Sequence, residues 1–132
     1  MKKNAVILAV LFAVFLLPAW ALAESVEGSV QGYHCVTQGK VCPVGKEDPM
    51  ISVERVFVVL TKSGDYFFVP NLDRAILARH LGEVVKVSGT MNAKFKSITA
   101  NKLEVMKGGA WKTVWTPMDV KKLGEDLGID IS

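Results

Sequence analysis

One change of hydrophobic period limits the fold of this chain more than any other feature. Residues 25–35, with the sequence SVEGSVQGYHC, alternate between two faces as a strand does. Residues 51–61 are rich in β-branched side chains, and the turn formers KSGD connect them to a third run, YFFV. The first part of the pattern therefore predicts a strand followed by a β-hairpin.

The period then becomes helical over residues 69–83, with the sequence VPNLDRAILARHLGE. Leu72, Ala75 and Ile76 fall at helical spacing, Asn71 is placed to cap the start and Gly82 to end the helix. The sequence predicts a helix of about two to three turns here, since four residues make roughly one turn.

Alternation returns at residues 84–91 and 97–106. In the second of these runs the apolar phase slips between Ala100 and Leu103. A slip of one position exchanges the buried and exposed faces of a strand, so we predict a β-bulge near Asn101 and Lys102.

Three strands, a helix and two further strands is the element order of the OB-fold. The chain resembles small secreted bacterial OB-fold-like domains through the segments VEGSVQGY, EVVKVSGTM and ITANKLEV, which correspond to the first, fourth and fifth strands. The resemblance implies an all-β domain with a short helix over residues 24–106. Its architecture would be a five-stranded OB-fold-like Greek-key barrel whose helix closes one end.

The amino-terminal region has the composition of an export signal. Lys2 and Lys3 precede an apolar run over residues 5–17, and PAWALA places Ala21 and Ala23 at the two small positions of a cleavage site. We predict cleavage after Ala23, a periplasmic or secreted protein and no membrane span in the mature chain; an uncleaved membrane anchor is the alternative.

Removal of residues 1–23 changes the charge of the chain. The full sequence has 16 Lys and Arg against 13 Asp and Glu, and two lysines lie in the signal, which leaves 14 against 13. Nucleic-acid binders normally carry a concentrated positive face. We therefore expect the partner to be a periplasmic protein, a peptide or a small ligand rather than a nucleic acid.

Residues 107–132 form a carboxy-terminal extension with one short predicted helix. Thr116 is placed as its cap, Pro117 as its first residue and Asp119 as an acidic third residue. Four apolar side chains are then available for burial: Met118, Val120, Leu123 and Leu127. Trp111 and Trp115 either cover the outside or mouth of the barrel or form an aromatic docking surface.

The two cysteines admit two interpretations. Cys35, at the predicted end of the first strand, and Cys42 would form a disulfide in an oxidising compartment, and closing this loop would stabilise the fold by about 2–3 kcal/mol. No cofactor is expected on that interpretation. The alternative is a copper or zinc site, in a metal-handling or redox accessory protein, that uses His34, Cys35, Cys42 and Met50.

No catalytic motif stands out in the sequence: it contains no phosphate loop, no G-x-S-x-G and no H-E-x-x-H. We therefore expect a non-enzymatic binding module that uses the face of the first three strands and the adjoining rim loop. The candidate ligand contacts are Tyr33, Arg55, Tyr66 and Phe68, together with Trp111 and Trp115.

Overall fold

The computed structural model describes residues 24–43, 45 and 48–129. The predicted export signal, with its cleavage site, lies outside the described residues. The described chain is mostly β, with one six-stranded sheet, three short α-helices and a longer α-helix at the carboxyl end. None of the helices in this part of the chain is long and apolar enough to cross a membrane.

The strands are β1 (Glu24–Gly32), β2 (Phe57–Leu60), β3 (Tyr66–Phe68), β4 (Val84–Asn92), β5 (Ser97–Lys107) and β6 (Ala110–Trp115). The helices are α1 (Tyr33–Thr37), α2 (Pro49–Val53), α3 (Arg74–Ala78) and α4 (Pro117–Leu127), and a 3₁₀ turn covers Ala93–Phe95.

The strands follow the order β3-β2-β1-β4-β5-β6 and pair antiparallel with their neighbours. In addition, β3 pairs with β5 in parallel through Phe68 and Ser97, and the backbone N–H of Phe68 donates to the carbonyl of Lys96 over 2.8 Å. The pairings of the first five strands therefore return to their starting point, from β1 through β2, β3, β5 and β4.

The core lies on the inner face of these five strands, as the alternation predicts. Its most buried members are Val30, Val59, Val85, Val87, Ile98, Leu103 and Val105. Because successive side chains of a strand point to opposite faces, the residues between them form an outer face. That outer face carries the candidate site.

The predicted β-bulge is confirmed. Ser88 pairs with Lys102 and Gly89 pairs with Ala100, so Asn101 is the extra residue on β5. A Cβ on Gly89 would overlap the carbonyl oxygen of Thr99, which explains why glycine stands where the two backbones approach most closely.

The predicted helix between β3 and β4 is present as α3, and its Leu77 is buried in the core. It is shorter than predicted, and its cap is Asp73, whose carboxylate accepts from the N–H of Ala75 over 2.7 Å. Asn71 does not cap the helix. Its side-chain amide instead makes two hydrogen bonds of 2.8 Å with the backbone of Ala100.

Two predicted strand ends are wrong. The first strand ends at Gly32, and the residues that follow, including Cys35, form α1. The second strand begins at Phe57 instead of residue 51 because Asp48 caps a helical turn that starts at Pro49, with its carboxylate 2.9 Å from the N–H of Met50.

The carboxy-terminal extension contains a sixth strand where the sequence predicts five. Gly108 and Gly109 both have positive φ, and they connect β5 to β6 in a tight hairpin. The predicted start of α4 is confirmed, since the carboxylate of Asp119 accepts from the N–H of Thr116 over 2.6 Å. The four apolar side chains that the sequence makes available for burial are all exposed in the structure: Met118, Val120, Leu123 and Leu127.

Candidate functional site

Three of the predicted ligand contacts form one group on the outer face, which we call the aromatic cluster: Tyr33, Tyr66 and Phe68. Their ring centroids lie 5.3–5.7 Å apart, and each pair is tilted or edge-to-face. All three side chains are half-buried. The three rings therefore pack against one another, and part of each ring stays exposed to solvent.

Two separate segments supply the aromatic cluster. Tyr66 and Phe68 stand two residues apart on β3 and share its outer face, while Phe67 between them packs against the core. Tyr33 begins α1, and its N–H donates to the carbonyl of Val56 over 2.9 Å. The turn from β1 into α1 thus brings the tyrosine back over the hairpin.

A lysine and the two phenols give the aromatic cluster its polar side. The ammonium of Lys96 lies 5.4 Å from the centroid of Tyr66 and 3.5 Å from a carboxylate oxygen of Asp65. The hydrogen bond between the two phenols raises the pKa of Tyr33, because it favours the protonated hydroxyl. The sequence analysis missed Lys96, since only the tertiary fold places it beside β3.

The connection from β1 to β2 covers the outer face next to the cluster. Gln31 and Val58 are buried there, in register with Phe68 across three strands. The N–H of Cys42 donates to the side-chain carbonyl of Gln31 over 2.6 Å, and the N–H of Gly32 lies 3.1 Å from the sulfur of Cys42. These contacts hold Cys42 against the outer face of β1.

Glu54 fixes the base of α1, a role that the sequence analysis did not assign to it. Its carboxylate accepts from the N–H of His34 over 2.9 Å and from the N–H of Val56 over 3.2 Å. The side chain of Arg74 donates to the carbonyl of Glu54 over 2.6 Å. The only sequence signal was the charged pair Glu54 and Arg55, which interrupts a segment rich in β-branched residues.

Cys35 and Cys42 are neighbouring free thiols in this structure. Cys42 is buried and Cys35 half-buried. Burial of Cys35, together with its hydrogen bond to Cys42, raises the pKa of the Cys35 thiol to about 11. The fold thus holds the two sulfurs next to each other, and the disulfide stays a prediction.

The residues of the metal alternative come only partly together. His34, Cys35 and Met50 line one cavity of about 410 Å³ with Asp48, whereas Cys42 is not in its lining. Within residues 24–43, 45 and 48–129, no group of three or more His, Cys, Asp or Glu side chains could hold a metal ion. The copper or zinc site also stays a prediction.

The other predicted contacts lie apart from the aromatic cluster. Arg55 is exposed and lines a separate cavity of about 140 Å³ with Phe57 and Arg74. Trp115 is only 7% exposed and belongs to the core, so it has little surface to offer a ligand. Trp111 is half-buried, and the ammonium of Lys86 lies 4.3 Å from the centroid of its ring.

Comparison of the chain with family models, with curated proteins and with solved structures gave no match.

Proposed function

We propose that the mature chain is an exported, non-enzymatic binding module that holds a protein or peptide partner against the aromatic cluster. The observation that carries the proposal is the meeting of Tyr33, Tyr66 and Phe68, from two segments, in one half-open group. Tyrosine is enriched at protein interfaces because it offers a large apolar surface and a hydroxyl at little cost in side-chain entropy.

The surroundings of the cluster support a peptide as the ligand. Lys96 and the phenol groups of Tyr33 and Tyr66 place polar atoms around the apolar rings, as at the rim of a protein interface. The rings are also preorganised, because β3 fixes two of them and Glu54 fixes the helix that carries the third. Preorganisation reduces the side-chain entropy that binding must overcome.

We further propose that the domain is of the OB-fold type. Support comes from the order of the pairings, in which five strands close on themselves through β3 and β5, and from a helix between β3 and β4 whose Leu77 enters the core. A closed five-stranded arrangement with such a helix is what an OB-type barrel requires. The sixth strand and α4 would be additions to it.

The proposed location is the periplasm or the exterior of a bacterial cell. Cleavage after Ala23 would leave Glu24 as the first residue. The carboxylate of Glu24 accepts from the N–H of Met91 over 2.9 Å, so the residue that cleavage would leave at the amino terminus takes part in the fold. An oxidising compartment would also join the two neighbouring thiols.

The test is capture of a partner from the envelope fraction of the source organism by the immobilised mature chain. The wild type is compared with Tyr66→Ala, which opens the aromatic cluster, and with Phe95→Ala, which removes a 63% exposed phenylalanine outside it. We expect one partner to be retained by the wild type and Phe95→Ala, and at least about tenfold less of it by Tyr66→Ala, because hot-spot truncations cost about 2 kcal/mol or more. Equal retention by all three proteins contradicts the proposal, as does retention of nothing by the wild type.

A further inference from the structure

A second surface feature lies on the same outer face, and we call it the Trp111 groove. It adjoins the aromatic cluster, because its lining residue Leu60 pairs with Tyr66 across β2 and β3. It has a volume of about 570 Å³, and four of the residues that line it are Ser29, Leu60, Val84 and Trp111. Ligand pockets for small molecules fall in the range of about 300–1,000 Å³. The groove is therefore large enough for a small ligand.

The register of the sheet explains why these side chains meet. Ser29 pairs with Leu60 on one side and with Val84 on the other, so the three share one row across β2, β1 and β4. Met106 pairs with Trp111 and brings the indole of β6 to the same groove. Strand β6 thus supplies the Trp111 side chain that forms one wall of the groove.

The indole of Trp111 is held in place from one side. The ammonium of Lys86 lies 4.3 Å from its ring centroid and 3.2 Å from a carboxylate oxygen of Glu27. A cation over an aromatic face is attracted by the ring quadrupole. The exposed part of the indole, together with Val84, which is 45% exposed, forms an apolar platform.

Hydroxyl groups surround this platform. The Ser29 hydroxyl accepts from the side-chain amide of Gln31 over 3.1 Å, which leaves its proton to donate. The hydroxyls of Thr61 and Ser63 lie 2.8 Å apart in the turn between β2 and β3, where that of Thr61 also donates to a backbone carbonyl. The rim therefore offers fixed donors and acceptors beside an apolar surface.

Away from the exposed turn, the groove carries no uncompensated charge. Glu27 pairs with Lys86 over 3.2 Å, and Lys62, the other charged residue of the lining, stands on the turn. A ligand that matches this arrangement has a flat apolar face, hydroxyl groups at its edge and no net charge. A pyranose ring has these features, since its axial C–H bonds form an apolar face and its hydroxyls lie around the edge.

We propose that the Trp111 groove is a second binding site, separate from the aromatic cluster, and that it takes a neutral sugar ring. The ring stacks on Trp111 and Val84, and its hydroxyls exchange hydrogen bonds with Ser29 and the turn at residues 61–63. This site does not depend on the proposed peptide partner.

The test is titration of the ¹⁵N-labelled mature protein with three neutral trisaccharides: maltotriose, cellotriose and triacetylchitotriose. We expect saturable shifts of the Trp111 indole N–H and of the Ser29 and Val84 amides with at least one of them at millimolar concentrations. Trp111→Ala should weaken this binding by about tenfold or more, as expected for loss of a stacking contact worth about 1.4 kcal/mol. Tyr33→Ala, which opens the aromatic cluster at the residue that α1 supplies, should leave it unchanged.

Adenosine serves as the contrasting probe because it is neutral but has an aromatic face. Saturable shifts with adenosine and none with the three sugars would overturn the proposal in favour of a planar aromatic ligand. An absence of shifts with every sugar would also overturn it, as would sugar binding that Trp111→Ala leaves intact. Loss of sugar binding in Tyr33→Ala as well as in Trp111→Ala would overturn the proposal that the two sites are separate.

Discussion

Formation of the Cys35–Cys42 disulfide should stabilise the fold by an amount that the loop length sets. The bond closes a loop of eight residues, and the chain-entropy relation gives about 2.5 kcal/mol for it at 25 °C. The two thiols already lie near each other, since Cys42 contributes to the raised pKa of Cys35. We expect the oxidised protein to gain about this entropic term.

The expected change in melting temperature follows from the size of the mature chain. Removal of residues 1–23 leaves 109 of the 132 residues. An unfolding entropy of about 2.1 cal/mol/K per residue then gives about 230 cal/mol/K in total, so about 2.5 kcal/mol corresponds to roughly 10 °C. The assay is thermal unfolding of the oxidised and the phosphine-reduced mature protein, with the intact mass measured before each scan.

A pH series distinguishes the bond from other effects of reduction. Because burial and Cys42 raise the pKa of Cys35 from 9.0 to about 11, the reduced fold favours the neutral thiol. The contribution of the neutral Cys35 thiol to the stability of the reduced protein is complete below pH 9 and is lost as the pH rises through about 11. The difference between oxidised and reduced proteins should therefore widen over that range. Equal melting temperatures at neutral pH, with the bond shown by mass, would refute the reasoning.

Three further substitutions test the fold. Gly89→Ala should lower the free energy of unfolding by about 3 kcal/mol or more, measured by urea denaturation, because its Cβ meets the backbone carbonyl of Thr99, which cannot move aside; a loss below about 1 kcal/mol would speak against that close approach. Asn71→Ala should cost about 1–3 kcal/mol in the same assay, since it leaves two backbone groups of Ala100 without their partners, and an unchanged midpoint would contradict the contact. Hydrogen bonds to Lys107 and His80 lower the pKa of Glu83. Glu83→Gln should therefore lower the free energy of unfolding at neutral pH, and this loss should disappear as the pH falls below the usual carboxyl value of 4.5. A loss that persists at low pH would show that the ion pairs are not its cause.

The sequence predicted those parts of the fold that depend on local periodicity. The phase slip between Ala100 and Leu103 located the bulge, because the alternation of faces is a direct consequence of strand geometry. The cap of α4 at Thr116 was equally local. The helical turn at Pro49–Val53 was missed because the β-branched residues Ile51 and Val53 are typical of a strand. The Asp48 cap and Pro49 at the first helical position decide the conformation instead.

The missed sixth strand had a signal that could have been used. A Gly-Gly pair between two runs with strand composition is typical of a two-residue hairpin, and both glycines have positive φ in the structure. Without that hairpin, the sequence analysis could not place Trp115 in the core and Trp111 at a groove.

The candidate site was predicted in part because strand alternation assigns a face to each residue. Tyr66 and Phe68 share a face by spacing alone, and they do lie together. Arg55 lies outside the candidate site and Lys96 lies inside it. Both positions depend on the tertiary packing of the connection between β1 and β2 and of the 3₁₀ turn, which no local sequence pattern predicts.

Site-specific photo-crosslinking in living cells tests most directly whether a partner binds at the aromatic cluster. A benzophenone amino acid is placed at Tyr66 and, as the matched control, at Phe95, which is exposed outside the cluster. We predict a discrete crosslinked product from position 66, identifiable by mass spectrometry, and no such product from position 95. Crosslinks at neither position, or the same product from both, would contradict the claim.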